Sequence, residues 1–396
     1  MGVQRPQVLT TFDCDVVVVG GGPAGLIAAR DLAADGFSTT ILEEHETIGM
    51  PVHCTGVLGV DALDELDLPR HTVLGIATSA RFVSADGSSV VIETDRIRAA
   101  IVDRARFDST LADRARRAGV TLRTGQRVRT VEADARGVLV RTATDAIRAR
   151  ACVLACGASY RFNRALGLGL PRLIAHSAQL EVPFAPLEHV EVHAGRRLAP
   201  GGFAWVVPFR RDDEPYARIG VLCDRGARAR FRTFAEGLRS AHGINAPWPE
   251  PRLKALPLAP VPRTSATRVL AVGDAAGIVK PTTGGGIYYG MISGRIAAAV
   301  LSKALEENRL DAGRLREYDR RWRTRLGAEI SAGLAFRTVL SRLNDRALDA
   351  LAELARVDGI VPLLKQTADF NWHRTAAVSL LRNASFRRIV FSSLWT

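Results

Sequence analysis

Residues 13–45 read DCDVVVVGGGPAGLIAARDLAADGFSTTILEEH, and this stretch decides the fold. Val16–Val19 is a continuous β-branched run, as a fully buried strand requires. Leu26–Ala34 has helical spacing, Gly36 ends that helix, and Thr39–Glu43 supplies a second strand. Strand, tight turn, helix, turn and strand make one βαβ unit, so the expected class is α/β with a Rossmann-type sheet.

The turn, Gly20–Gly25, fits G-x-G-x-x-G with glycines at Gly20, Gly22 and Gly25. Such a turn lets the backbone approach a pyrophosphate, whose charge then sits at the helix N-terminus. A tight structural turn needs the glycines equally, but not the carboxylate of Glu43 at the end of the second strand. There an acid accepts from ribose hydroxyls and disfavours a 2′-phosphate, which suits FAD or NAD rather than NADP.

A second glycine cluster separates these two. Val272–Gly290 reads VGDAAGIVKPTTGGGIYYG: Asp274 follows a short apolar strand (Val269–Val272), and Gly284, Gly285 and Gly286 open a helix. An NAD enzyme has no use for a second loop. FAD does: Asp274 suits a ribityl hydroxyl or phosphate, and backbone N–H groups around Gly284–Ile287 can face the flavin N1–C2=O edge, which becomes negative on reduction. A plain strand-to-helix turn is the alternative.

Outward from these loops, the expected organisation is an FAD-binding domain in three pieces, 12–78, 99–164 and 263–302. A mainly-β substrate domain is inserted into it, drawn from 79–98 and 165–262. A helical C-terminal region, 303–396, follows.

Together the two glycine stretches, GMPVHCTG (Gly49–Gly56) and VDRARFD (Val102–Asp108) resemble the geranylgeranyl reductase family of FAD-dependent oxidoreductases, which shares the p-hydroxybenzoate hydroxylase fold. GGFAWVVPF (Gly201–Phe209) is similar to the family's aromatic-x-Trp-x-x-Pro signature, with Phe203 where tyrosine is usual. The resemblance implies FAD contacts at Ala24, Glu43, Cys54, Thr55, Gly56, Arg104, Asp274, Gly286 and Ile287, with Val128 a backbone contact near the adenine. It also implies a lipid pocket walled by Phe203, Trp205 and Pro208. Cys54 is the catalytic candidate, as pocket-shaping residue, proton donor or redox-sensitive thiol; the alternative is a small residue packed against the ring. Tyr288 and Tyr289 open the last helix, and periodicity does not choose which of them faces a pocket. In the hydroxylase branch an Asp-Gly pair stands where this chain has Cys156-Gly157. No second G-x-G-x-x-G marks a separate NAD(P) domain, and 303–396 carries no family signature.

The formal charge is +13, with 54 Lys and Arg against 41 Asp and Glu. The only lysines are Lys254, Lys280, Lys303 and Lys365, so the excess is arginine. That balance fits an anionic lipid or substrate, or simply a solvated surface; without a single basic tract, no nucleic-acid partner is expected. The 5 cysteines have no zinc-like spacing, so reduced thiols and no metal are expected. No apolar run reaches the roughly 18–20 residues of a membrane span, and the first residues carry no secretion signal. A cytoplasmic protein is expected, with peripheral membrane contact through SLLRNASFRRIVFSSLWT at the C-terminus. There Phe386, Ile389, Val390 and Leu394 recur at helical spacing beside Arg387, Arg388 and Trp395. Docking of that helix on the protein's own core is the alternative.

The expected activity is therefore FAD-dependent reduction of isoprenoid double bonds, with an external electron donor, NAD(P)H or a redox protein. A flavin monooxygenase or halogenase is one alternative, although no lysine before Lys254 is available for the halogenase role. An electron-transfer flavoprotein serving a quinone is another, without the cysteine cluster of an iron–sulfur domain.

Overall fold

A computed structural model describes residues 11–94, 98–357 and 360–394. At its centre the strand Cys14–Val19 pairs in parallel with Thr39–Leu42 on one side and Ala146–Leu154 on the other. Thr121–Arg123 and Val269–Ala271 extend the parallel sheet outward. Val16, Val17 and Val18 are fully buried, which explains why this strand reads as an unbroken β-branched run.

The first helix, Pro23–Ala34, begins with proline, whose missing N–H costs nothing in the first turn. It lies against the helix Ile287–Glu306 with almost no side chain between them. A Cβ on Gly294 would fall 2.4 Å from the Ala24 carbonyl oxygen, and one on Gly290 would fall 3.5 Å from the Ala24 Cβ. This glycine-lined contact, between segments far apart in sequence, brings the two glycine turns to the same end of the sheet.

A second sheet runs in the order 252–257, 174–183, 214–223, 203–211, 190–193, 79–83, 89–93. Its neighbours are antiparallel except 190–193 with 79–83. The early hairpin thus joins a sheet built mostly from residues a hundred positions later. One face is covered by the helix Ala227–Ala241, whose Phe231, Phe234 and Leu238 meet Ala204, Val206, Ile219 and Val221. The mainly-β expectation for this region missed that helix, although Phe231, Phe234, Ala235 and Leu238 have the i, i+3, i+4, i+7 spacing that marks one. Its many arginines mask the stripe.

Beyond 303 the described residues are helical, as expected. In the last helix, Ala384–Leu394, Phe386 and Val390 are buried against Leu343, Ala347 and Ile360, and Ile389 packs beside them. The face expected to meet a membrane is therefore spent on the protein's own helices, while Arg387, Arg388 and Phe391 are exposed. Trp395 lies outside the described residues. No helix among those described is long and apolar enough to cross a membrane.

Candidate functional site

The first turn is built by glycines with different duties. Gly20 has φ +109°, and a Cβ there would sit 2.4 Å from the Ala155 carbonyl oxygen; one on Gly25 would sit 2.3 Å from the carbonyl of Gly20. Gly22 is the reverse: a Cβ there would meet nothing within 4 Å. It stands at the start of the helix, which no side chain caps. Open space before uncapped N–H groups fits a pyrophosphate. Ala24 faces the other way, toward Gly273 and Gly290.

Glu43 follows the second strand directly, with its carboxylate folded back over the turn. Oε2 accepts the Gly21 N–H at 2.7 Å and Oε1 the His45 N–H at 3.0 Å. The Gln126 N–H donates to the Glu43 carbonyl at 2.7 Å, so the segment leading to Val128 lies alongside. Val128 is buried, and its carbonyl accepts from Arg161 at 3.4 Å.

At the second turn Gly273, φ +56°, donates to Ser293 Oγ at 2.9 Å. The Asp274 carbonyl accepts from the Tyr160 hydroxyl at 2.8 Å, and its carboxylate pairs with Lys254 at 3.3 Å. Gly284–Gly286 closes over it: the Lys280 N–H donates to the Gly285 carbonyl at 3.0 Å and the Gly284 N–H to the Lys280 carbonyl at 2.8 Å. Gly286 caps the helix that Ile287 begins. Lys254 and Asn163, whose buried Oδ1 has no partner among the described residues while its Nδ2 reaches the Ala275 carbonyl, are site neighbours that sequence reasoning missed.

The loop Cys54–Gly56 is tied to the second sheet. Thr55 Oγ1 donates to Gln179 at 2.5 Å. Arg218, fully buried, donates to the carbonyls of Thr55 (2.6 Å) and Val102 (2.9 Å) and to Glu181 (2.9 Å), with its guanidinium 4.7 Å from the Phe209 ring centre. Gly56 is glycine because a Cβ would fall 2.7 Å from Arg218 Nη1. Cys54 is half-buried beside Arg104, which grips Asp108 with two bonds of 3.1 and 2.7 Å. Burial opposes the Arg104 charge, but Asp108 and Cys54 more than offset it and raise its pKa. Sequence reasoning also missed Arg218. Its signal was an arginine inside the apolar strand run ARIGVLC (Ala217–Cys223).

On the inner face of the second sheet, Phe203 and Trp205 stand with Val207, Phe209 and Leu222, packed against Ile101 and Leu258. Gly220 faces Trp205, and a Cβ there would fall 2.1 Å from the indole. The Trp205 Nε1–H is buried without a partner among the described residues. Pro208 is not brought to this face. The register from Phe203 to Arg211 is unbroken, so the pleat turns Pro208 to the side of Ala204 and Val206.

Neither Tyr288 nor Tyr289 lines an open pocket. Both are buried against Trp372; the Tyr288 hydroxyl donates to Glu65 and that of Tyr289 to the Asn371 carbonyl at 3.1 Å. Asn371, buried, also bonds Asp61 at 2.6 Å. The C-terminal region thus returns to the site through Asp369–His373, which no motif marked.

The sequence profile of the FAD binding domain family matches residues 13–329. A digeranylgeranylglycerophospholipid reductase of Methanocaldococcus jannaschii is 31% identical over 87% of this chain and 92% of its own. A second reductase of that name, from Methanothermobacter thermautotrophicus, is 32% identical over 85% and 90%. Among solved structures, a geranylgeranyl bacteriochlorophyll reductase-like protein of Thermoplasma acidophilum superposes with TM-score 0.83 over 96% of this chain and 98% of its own, at 23% identity.

Proposed function

The chain belongs to the FAD-binding family that contains the geranylgeranyl reductases, and on that premise we propose that it saturates carbon–carbon double bonds in the isoprenoid chains of a lipid. Bound FAD supplies a hydride for one alkene carbon, while the other carbon takes a proton. The observation that carries the reading is the continuous apolar inner face of Phe203, Trp205, Val207 and Leu222, tied to the cofactor loop by Arg218 and by Thr55–Gln179. An unactivated alkene accepts hydride poorly, so such a wall must hold it in place and exclude water.

The chain's own residues divide the remaining work. The Gly20–Gly25 turn and Glu43 hold the pyrophosphate and ribose, and Asp274 the ribityl end. The Gly286 and Ile287 N–H groups, at the start of the helix, would receive the ring edge. Cys54 would shape the pocket beside the ring, where Arg104 fixes its place. An external donor, NAD(P)H or a redox protein, restores the reduced cofactor. Access to a membrane-borne chain requires peripheral contact with a bilayer, and the net charge of +13 favours an anionic one.

The test is anaerobic: enzyme reduced by dithionite is mixed with a geranylgeranyl lipid. Reoxidation, with product mass rising by two hydrogens for each bond, is expected. No reoxidation by the lipid without oxygen, and a product that gains an oxygen atom once air is admitted, make it a monooxygenase. Electron flow only to a quinone ring makes it an electron-transfer protein.

A further inference from the structure

Lys280 is buried, 5% exposed, directly behind the second glycine turn. Its backbone closes that turn, and its side chain runs back beneath it. A Cβ on Gly285 would fall 2.9 Å from Lys280 Cε and 3.6 Å from Nζ, so glycine at 285 is what makes room for the lysine. The ammonium donates to the Phe370 carbonyl at 2.9 Å and stands 4.2 Å from the Phe370 ring centre. The same carbonyl bonds His373 Nε2 at 2.9 Å, and His373 Nδ1 meets Thr282 at 2.5 Å, so the segment Asp369–His373 clamps the turn from below. Asp369 and Asp61 act on the ammonium at longer range, and neither forms an ion pair with it. A buried cation whose nearest partners are a carbonyl and a ring is costly unless something else uses its charge. An uncharged donor would serve as well to tie the clamp to the turn.

We propose that Lys280 is an electrostatic positioning residue for the flavin: a fixed positive charge behind Gly284–Gly286 that favours the reduced, negatively charged ring, held in place by the C-terminal segment Asp369–His373. This rests on the FAD reading of that turn. A flavin gains negative charge at N1–C2=O when reduced, and a nearby cation in a poorly solvated site stabilises that form over the oxidised one. The effect belongs to the potential, and a purely structural tie would leave it unmoved.

Redox titration of the full-length FAD-loaded protein against dyes of known potential tests this, with flavin content and Tm recorded for each variant. Lys280→Met is expected to shift the oxidised-to-reduced equilibrium at least tenfold toward the oxidised form, ~30 mV more negative for a two-electron couple. Asp369→Asn keeps an oxygen for the Asn371 and Trp372 N–H groups, at 2.8 and 3.0 Å, but removes a negative charge. Its potential is expected to move the opposite way. Flavin-replete variants with the wild-type potential would overturn the proposal, and Asp369→Asn decides alone if Lys280→Met does not fold. Wild-type protein that binds no FAD overturns the cofactor reading and this proposal with it.

Discussion

The carboxylate of Asp274 occupies the place where a side chain on Gly286 would begin: a Cβ there would lie 2.6 Å from Oδ1. The two residues therefore constrain one another, and glycine at 286 is what lets the acid lie against the turn. Gly286→Ala is expected to push Asp274 aside and weaken FAD at least tenfold. Gly22→Ala, whose methyl enters open space, is expected to leave the Tm of the flavin-free protein unchanged and to weaken FAD by collision with the pyrophosphate alone. Flavin fluorescence titration and thermal melts of the apoprotein separate the two behaviours.

Glu43→Ala is expected to weaken FAD through loss of charge-assisted ribose bonds, each worth about 1.5–3 kcal/mol. The carboxylate also accepts the Gly21 N–H at 2.7 Å, so some of the loss comes from a loosened turn. Glu43→Gln, which keeps an acceptor, is expected to fall between. Equal affinity of Glu43→Ala and the wild type in calorimetric titration would remove Glu43 from the cofactor site.

Arg218 is the strut between the Cys54–Gly56 loop and the second sheet, and its charge is balanced by Glu181. Removing one partner of a buried pair leaves the other uncompensated, at about 3–5 kcal/mol. Arg211 also reaches Glu181, which reduces that penalty here. Arg218→Met is therefore expected to lose less stability than that in urea unfolding. Adding Glu181→Leu should cost less than the sum of the two single losses, because the orphaned charge goes with it.

The βαβ unit and the second glycine turn were legible in the sequence because each is local: strand, turn and helix lie within a few dozen residues, and glycine spacing carries the geometry. What was not legible depends on distant contacts. Arg218 meets Thr55 from 163 positions away, and Asn371 meets Gly59 from 312. No period or spacing links such pairs. Pro208 was misplaced for the opposite reason, since strict alternation from Trp205 assigns it to the other face, and the motif's outline overrode the pleat. Both tyrosines after Gly286 remained open in the sequence because their partner, Trp372, sits in a segment with no pattern of its own.

The clamp beneath the glycine turn gives a defined pH dependence. The Phe370 carbonyl can only accept, so His373 Nε2 carries the proton and Nδ1 accepts from Thr282. Burial, then the Lys280 ammonium, push His373 down to about 3 from an ordinary 6.5. As pH falls through that window the unfolded chain takes up a proton that the folded chain refuses, so stability falls. Burial likewise pushes Lys280 down to about 8 from 10.5, with Asp369 and Asp61 opposing. As pH rises from about 8 to 10.5 the folded chain has released a proton that the unfolded chain still holds, so this group makes stability rise. Tm measured against pH should therefore lose slope on the acid side in His373→Gln and on the alkaline side in Lys280→Met.

Trp205 stands on the inner face of the second sheet. Its indole lies on Gly220, and the buried Nε1–H has no partner among the described residues. A methyl group on Gly220 would fall 2.1 Å from the ring, so Gly220→Ala must displace the indole, while Trp205→Ala removes its contact area altogether. Neither change touches the Gly20–Gly25 turn, Glu43 or Asp274, so FAD content is expected to stay at the wild-type level in both. A displacement of about 1 Å at a reacting centre can cost roughly a hundredfold in rate, so the anaerobic rate of flavin reoxidation by a geranylgeranyl lipid should fall by about that factor. Both variants should also leave more bonds unreduced per chain, read by product mass. Full flavin content with undiminished reoxidation in Gly220→Ala and Trp205→Ala would mean that the alkene is held elsewhere, and that the inner face of the second sheet is core and nothing more.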